Sequence, residues 1–205
     1  MEYDYLYKIL VIGDSGVGKT SLMNCYLDNR CPTIPPPATI GVDFGVKTGI
    51  LSRGKRIKVH VWDAGGQDNF RPVLESYYCG VAAAIIVFDL TRPLSLEGVE
   101  YWLSEVSRQP TIDPRAPILI VGNKRDQQLR RRVSRDEAER FAKSAGAYYV
   151  ETTANESCCL DSGMSTIIDA ITEDYVDGNR QVAGVKKCGE TIIPHCESND
   201  CCRVA

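Results

Sequence analysis

Three stretches, Tyr5 to Gly13, Val81 to Asp89 and Ala116 to Asn123, are largely apolar runs that end in Gly, Asp or Asn. Strands of a parallel sheet covered by helices on both faces read this way, because neither face meets water. Between the runs the apolar positions change period. Leu96, Val99, Trp102, Leu103 and Val106 recur at helical spacing, as do Phe141, Ala142 and Ala145, and Met164, Ile167, Ile168 and Ile171. Each set makes one stripe down an amphipathic helix. Ser134, with Glu137 three residues on, has the spacing of a capping box opening the second of these helices. Phe44 to Leu51 and Arg56 to Trp62, separated by Ser52-Arg53-Gly54-Lys55, predict an antiparallel hairpin. Strands alternating with helices imply right-handed crossovers and a doubly wound α/β domain, whose ligands sit in the crevice beyond the carboxyl ends of the strands.

From about Gly178 the periodicity disappears, which predicts a domain over residues 1–177 and a disordered tail over 178–205. A chain of 205 residues suits one domain with a tail better than two domains. The net charge of -3 gives no electrostatic footprint for nucleic acid. No apolar run approaches the roughly 20 residues of a membrane span, and the N-terminal Met-Glu-Tyr-Asp lacks a basic leader region, so a cytosolic chain is expected. The nine cysteines are odd in number and follow no framework spacing, which favours thiols over disulfides. A zinc site among Cys188, His195, Cys196 and the terminal cysteines lacks the paired short spacing such sites need.

Gly13-Asp14-Ser15-Gly16-Val17-Gly18-Lys19-Thr20 fits the phosphate-loop pattern and lies between a strand and a helical stretch, as that pattern requires. Its glycines let backbone N–H groups point at phosphate oxygens, and the following helix offers its positive end to the same charge. Lys19 supplies a cation for the terminal phosphates, and Thr20 a hard oxygen for magnesium. Asn123-Lys124-Arg125-Asp126 follows a buried strand. The Asp126 carboxylate accepts only, so it suits the ring N–H and exocyclic amine of guanine, whereas adenine turns an acceptor toward it.

These elements, with Asp63-x-x-Gly66 between them, occur in the order and spacing of the Ras superfamily, which the chain resembles over roughly residues 5 to 177. Within it the chain looks like the Rab family. Ile40-Gly41-Val42-Asp43-Phe44 matches that family's switch I signature, Tyr77-Tyr78-Cys79-Gly80 is similar to its Tyr-Tyr-Arg-Gly, Asn69-Phe70-Arg71 to Arg-Phe-Arg, and Phe88-Asp89 to Tyr-Asp. The resemblance implies a P-loop GTPase fold with a mixed six-stranded sheet flanked by about five helices. It implies that Ser15, Gly16, Val17, Gly18, Lys19, Thr20, Ser21, Thr39 and Gly66 bind the phosphates. Thr20, Thr39 and Asp63 would hold Mg2+, and Gln67 would orient the attacking water. Guanine would be read by Asn123, Lys124 and Asp126, with Thr153, Ala154 and Asn155 of a segment similar to Glu-Thr-Ser-Ala-Lys. The expected function is a switch that binds GTP and GDP, hydrolyses GTP slowly and regulates membrane trafficking. Its expected partners are a GTPase-activating protein, an exchange factor, effectors, and prenylation and extraction chaperones. Cys201 and Cys202 resemble the paired cysteines that Rab proteins present for lipidation. A Cys202-Arg203-Val204-Ala205 prenylation box is the alternative, with Arg at an aliphatic position against it. The expected location is the cytosol and, through the lipid anchor, the cytoplasmic face of intracellular membranes.

The departures from the pattern also carry information. The family's Trp-Asp-Thr-Ala-Gly-Gln-Glu reads here Trp62-Asp63-Ala64-Gly65-Gly66-Gln67-Asp68, and an extra glycine adds freedom that must be lost when the segment orders. Twelve residues after Lys19, where relatives carry an aromatic beside guanine, stands Cys31. Pro35-Pro36-Pro37 stiffens the loop that follows. These changes leave a non-hydrolysing GTP-dependent scaffold as a rival reading, while Asp126 argues against a third, a phosphate-loop ATPase or small-molecule kinase.

Overall fold

The computed structural model describes residues 3–28, 31, 34, 36–67, 74–155, 160–177 and 184–188. Among these residues seven strands form one sheet. β1 (Tyr5–Ile12), β2 (Val42–Ser52), β3 (Lys55–Ala64), β4 (Ala83–Asp89), β5 (Ile118–Asn123) and β6 (Tyr148–Glu151) lie in the order β2-β3-β1-β4-β5-β6. Only β2 runs against its neighbour within that path. The β2–β3 hairpin turns through Arg53 and Gly54, at φ 48° and 74°, the left-handed pair that matches the twist of the flanking strands. Four α-helices occur among the described residues: α1 (Lys19–Asp28), α2 (Pro93–Arg108), α3 (Arg135–Ser144) and α4 (Asp161–Thr172). Ser134 caps α3 as the sequence predicts, its Oγ accepting from the Glu137 N–H at 3.2 Å.

The apolar runs are continuous because alternate residues serve two cores. Tyr7, Ile9 and Val11 of β1, with Ile85 and Val87 of β4, pack under Leu22 and Met23 of α1 and Ile167, Ile168 and Ile171 of α4. Leu10, Ile12, Ile86 and Phe88 point the other way, against Val99 and Trp102 of α2 and Ala138 and Ala142 of α3. Burying a side chain of this size contributes about 1.5–3 kcal/mol, so both faces resist a one-residue slip of register.

A seventh strand, β7 (Val185–Lys187), pairs antiparallel with Tyr5–Tyr7 of β1, below the point where β4 takes over as neighbour. The sequence places these residues in the tail, since three residues are too few to show a period. Their pairing is fixed by backbone instead: Lys8 N–H donates to Gly184 O at 3.0 Å and Cys188 N–H to Asp4 O at 2.9 Å. β1 is the topological switch point. The chain leaves it through α1 for β2 and β3 on one side, and the later strands β4, β5 and β6 lie on the other, which opens a crevice at its carboxyl end.

Candidate functional site

The crevice is filled by the loop Gly13–Gly18. Gly13 has φ 140°, and a Cβ there would stand 2.2 Å from Val87 O. Gly18 has φ 94°, and its Cβ would stand 2.6 Å from Asn123 Nδ2. Only glycine lets the loop curl this tightly between β4 and β5. Val17 is fully buried, and its carbonyl accepts from Asn123 Nδ2 at 2.9 Å, so the two sequence motifs brace each other. Lys19 opens α1 at 6% exposure. Its Nζ donates to Gly13 O at 2.7 Å and Asp14 O at 2.9 Å. Burial pulls its pKa down to about 8 against the opposing charges of Asp63 and Asp14.

A cavity of about 210 Å³ lies over the loop. Ser15, Gly16, Gly18, Lys19, Thr20 and Ser21 form one wall, and Pro36, Pro37, Ala38, Thr39, Gly66 and Gln67 the other. Residues distant in sequence thus enclose one polar space beside a lysine and a helix N-terminus, an arrangement suited to anionic phosphates. The two covering segments are tied together, with Gly65 N–H donating to Gly41 O at 2.8 Å. The sequence reads Gly65 as added freedom. The structure gives it a steric reason, since a Cβ would stand 2.7 Å from Thr39 O and 3.0 Å from Gly41 O.

Thr20 Oγ1 donates to Asp63 Oδ2 at 2.5 Å and lies 2.5 Å from Thr39 Oγ1. Asp63 is 4% exposed, and its other oxygen, Oδ1, is buried without a hydrogen-bond partner. Burial pushes its pKa up to about 6, against the Thr20 hydrogen bond and the charge of Lys19. A desolvated carboxylate with an orphaned oxygen, next to two converging hydroxyls, is a hard-oxygen donor set that fits Mg2+.

Asp126 is exposed at the far end of the crevice. Its Oδ1 accepts from Thr153 Oγ1 at 2.7 Å and its Oδ2 from Asn155 Nδ2 at 3.0 Å. A carboxylate has about four acceptor positions, so two remain for the two donors of guanine. Asn155, which departs from the family's lysine, thus helps to orient this carboxylate. The loop carrying Thr153, Ala154 and Asn155 is held to the Asn-Lys-x-Asp turn by Arg125 N–H donating to Thr152 O at 3.0 Å.

Two supporting residues, Asp89 and Trp102, carry no site role in the sequence pattern, and Lys124, which does, is tied to the first of them. Lys124 adopts φ 66°, a strained conformation for a side chain. Its ammonium donates to Gly16 O at 3.0 Å and Asp89 Oδ2 at 2.7 Å. Burial pushes the Asp89 carboxyl up, but the Lys124 ammonium and the donors of Thr91 outweigh it and hold it below the usual carboxylate range. Trp102, placed by periodicity in the core, also donates its indole N–H to Asp14 Oδ1 at 2.9 Å. The terminal Asp of a buried strand was the available signal for Asp89; Trp102 offered none beyond its helical stripe. At the aromatic position, Cys31 is half-buried. Tyr26 is committed to the core, with Lys47 Nζ 3.7 Å from its ring centroid, and Ile34 is 78% exposed. Neither replaces a ring at position 31. Asp68, Asn69-Phe70-Arg71, Pro35, Cys201 and Cys202 lie outside the described residues.

The doubly wound sheet and its phosphate loop have the α/β fold of the phosphate-loop GTPases. A sequence model of the Ras family matches residues 8–173. Ras-related protein RGP2 of Oryza sativa subsp. japonica is 36% identical over 193 residues, which is 94% of this chain and 86% of that protein. Ras-related protein RABA2a of Arabidopsis thaliana is 35% identical over 200 residues, 93% and 88% of the two chains. Ras-related protein Rab-11A of Dictyostelium discoideum is 38% identical over 170 residues, 83% and 78%. The chain belongs to the Ras family of small GTPases, on its Rab branch.

Proposed function

We propose that this Rab-type GTP-binding switch hydrolyses GTP slowly at the crevice over Gly13–Thr20 and, in its GTP form, recruits effectors to a membrane. The observation that carries this reading is the single cavity that joins the phosphate loop to Thr39 and Gln67. Backbone donors of the loop and the Lys19 ammonium bind and orient the β- and γ-phosphates. Thr20, Thr39 and Asp63 would hold Mg2+, which supplies charge neutralisation on those phosphates. Gln67 orients a water toward the γ-phosphorus, and the proton leaves with the product phosphate. No residue needs to act as a strong base, because phosphoryl transfer depends mainly on positioning and charge stabilisation. Among the described residues that line the cavity there is no arginine. An activating partner that supplied one would add about three to five orders of magnitude in rate.

Thr39 couples the site to the surface. Immediately after it, Ile40 is 82% exposed and Phe44 47%. Phe44 packs on Trp62 with ring centroids 4.8 Å apart, and Trp62 on Tyr77 at 5.4 Å. An effector reading this aromatic face would read the position of Thr39, and so the γ-phosphate. The anchor is proposed to be two lipids on Cys201 and Cys202, since one chain gives only marginal membrane residence. No helix among the described residues is long and apolar enough to cross a membrane. β7 roots the following segment at the amino end of β1, roughly 20 Å from the crevice at the strand's other end. A membrane at that end leaves the switch face open to partners. Mass spectrometry of protein from its native cell, finding both thiols unmodified, would refute the anchor.

The test of the enzyme is single-turnover hydrolysis of bound GTP with and without magnesium. The parent should turn over, and Gln67→Leu should lose partner-stimulated turnover while keeping GTP affinity. Binding without turnover in the parent, even with an activating partner, would support the scaffold reading instead.

A further inference from the structure

Beside the nucleotide crevice stands a pair of thiols that the proposed reaction does not use. Cys25 sits on α1 at 1% exposure, and Cys31 is half-buried in the segment that follows. Their sulfurs are 2.7 Å apart, so a small approach brings them to the bond length of a disulfide, about 2.05 Å. We propose that Cys25 and Cys31 are a reversible dithiol–disulfide couple, a modification site that fastens the root of switch I to α1.

The placement gives the couple a consequence. Residue 36, where the cavity wall Pro36–Thr39 begins, is five residues beyond Cys31, a reach of at most about 18 Å. At the far end of that segment Thr39 Oγ1 meets Thr20 Oγ1 on the first turn of the same helix. Oxidation makes covalent the contact between Cys31, which precedes that wall, and Cys25 on the helix whose first turn carries Thr20.

The exposure of the two thiols assigns their roles. A hydroperoxide reaches Cys31 first, and its sulfur takes the terminal oxygen to give a sulfenic acid and one water. The sulfur of Cys25 then attacks the Cys31 sulfur, the S–O bond breaks, and the hydroxide leaves with the thiol proton as a second water. In sum, two thiols and one hydrogen peroxide give one disulfide and two waters. Two molecules of a thiol such as glutathione reverse it by exchange and leave as their own disulfide.

The experiment uses the full chain loaded with GDP, treated with hydrogen peroxide, alkylated, and digested with trypsin without reduction. Arg30 lies between the two cysteines, so cleavage there leaves the peptides ending at Arg30 and beginning at Cys31 joined only by the disulfide. The joined pair should appear, vanish with dithiothreitol, and be missing from Cys25→Ser. Over-oxidation or glutathione capping of Cys31 without the joined pair overturns the couple. An effect of the couple on the nucleotide rests on the nucleotide-binding reading above and has its own readout. GDP release from the oxidised chain should be slower by about threefold or more, while release from Cys25→Ser should ignore peroxide. A joined pair with unchanged release overturns the effect on the nucleotide. The peptide readout is independent of nucleotide, so it still reports on the couple if the chain fails to retain GDP.

Discussion

Gly66→Ala probes the contact on which switching depends. A Cβ at Gly66 would stand 2.5 Å from both Asp14 C and Gly13 O and 2.6 Å from Lys19 Nζ. The first two atoms belong to loop backbone, which is packed closely against β4, where even a Cβ on Gly13 would stand 2.2 Å from Val87 O. Lys19 is itself held by the Gly13 and Asp14 carbonyls. The segment Gly65–Gln67 must therefore withdraw, taking Gln67 from the cavity and straining the Gly65 bond to Gly41 O. Overpacking of this kind costs about 1–3 kcal/mol. At about 1.4 kcal/mol per decade, the closed arrangement should be roughly 5- to 150-fold less favoured. Equilibrium titration with fluorescent nucleotides separates this from a general loss of fold. A non-hydrolysable GTP analogue should bind more weakly by that factor, and GDP, which lacks the γ-phosphate, at near-parental affinity. Equal affinity of parent and variant for the analogue would refute the closed geometry, and equal losses for both nucleotides would refute its dependence on the γ-phosphate.

Asp126→Asn should move preference from guanine toward xanthine nucleotides by about tenfold or more, because one charge-assisted acceptor becomes a donor facing a guanine amine; competition between GDP and XDP measures it, and an unchanged ratio contradicts the recognition geometry. Glu151→Gln removes the charge of one partner of a largely buried ion pair, in which both terminal guanidinium nitrogens of Arg131, Nη1 at 2.9 Å, meet the carboxylate. Because Arg131 keeps some solvent, the loss should be about 2–3 kcal/mol in urea unfolding at neutral pH. Burial raises the Glu151 pKa, but the bonds from Arg131 and Tyr149 outweigh it and leave it below 4.5. The pair's stabilisation is thus fully present above that value and fades as pH falls through the depressed one. Parent and variant should accordingly converge in acid, and a gap that persists there removes the ionic explanation. Cys31→Phe should slow spontaneous GDP release, since a ring against a base is worth roughly 1–3 kcal/mol; a stopped-flow chase with excess magnesium showing no slowing would place position 31 away from the base.

The sheet and its ligand end were legible in the sequence because their signals are contiguous. Ile9 to Gly13 shows a doubly buried strand running into a phosphate loop, and Ile118 to Asp126 shows a strand running into the guanine motif, each within a dozen residues. The spacing of Ser134 and Glu137 likewise announced a cap that is realised locally. What local pattern does not encode is which distant atoms meet. Trp102 satisfies its helical stripe whether or not its indole reaches Asp14, 88 positions away. Asn155 reads as a lost lysine until folding brings its amide to Asp126. Gly65 reads as slack until Thr39 O closes on it. Cys25 and Cys31 carry no framework spacing, and only the folded chain sets their sulfurs 2.7 Å apart. β7 is three residues without a period, fixed by the open backbone positions of β1 below the end of β4. Strand and motif identity follow from neighbours along the chain, which fix local conformation and burial. The convergence of Thr20, Thr39 and Asp63 on one point is a property of the packed sheet and helices, because each of the three is carried there by a different element.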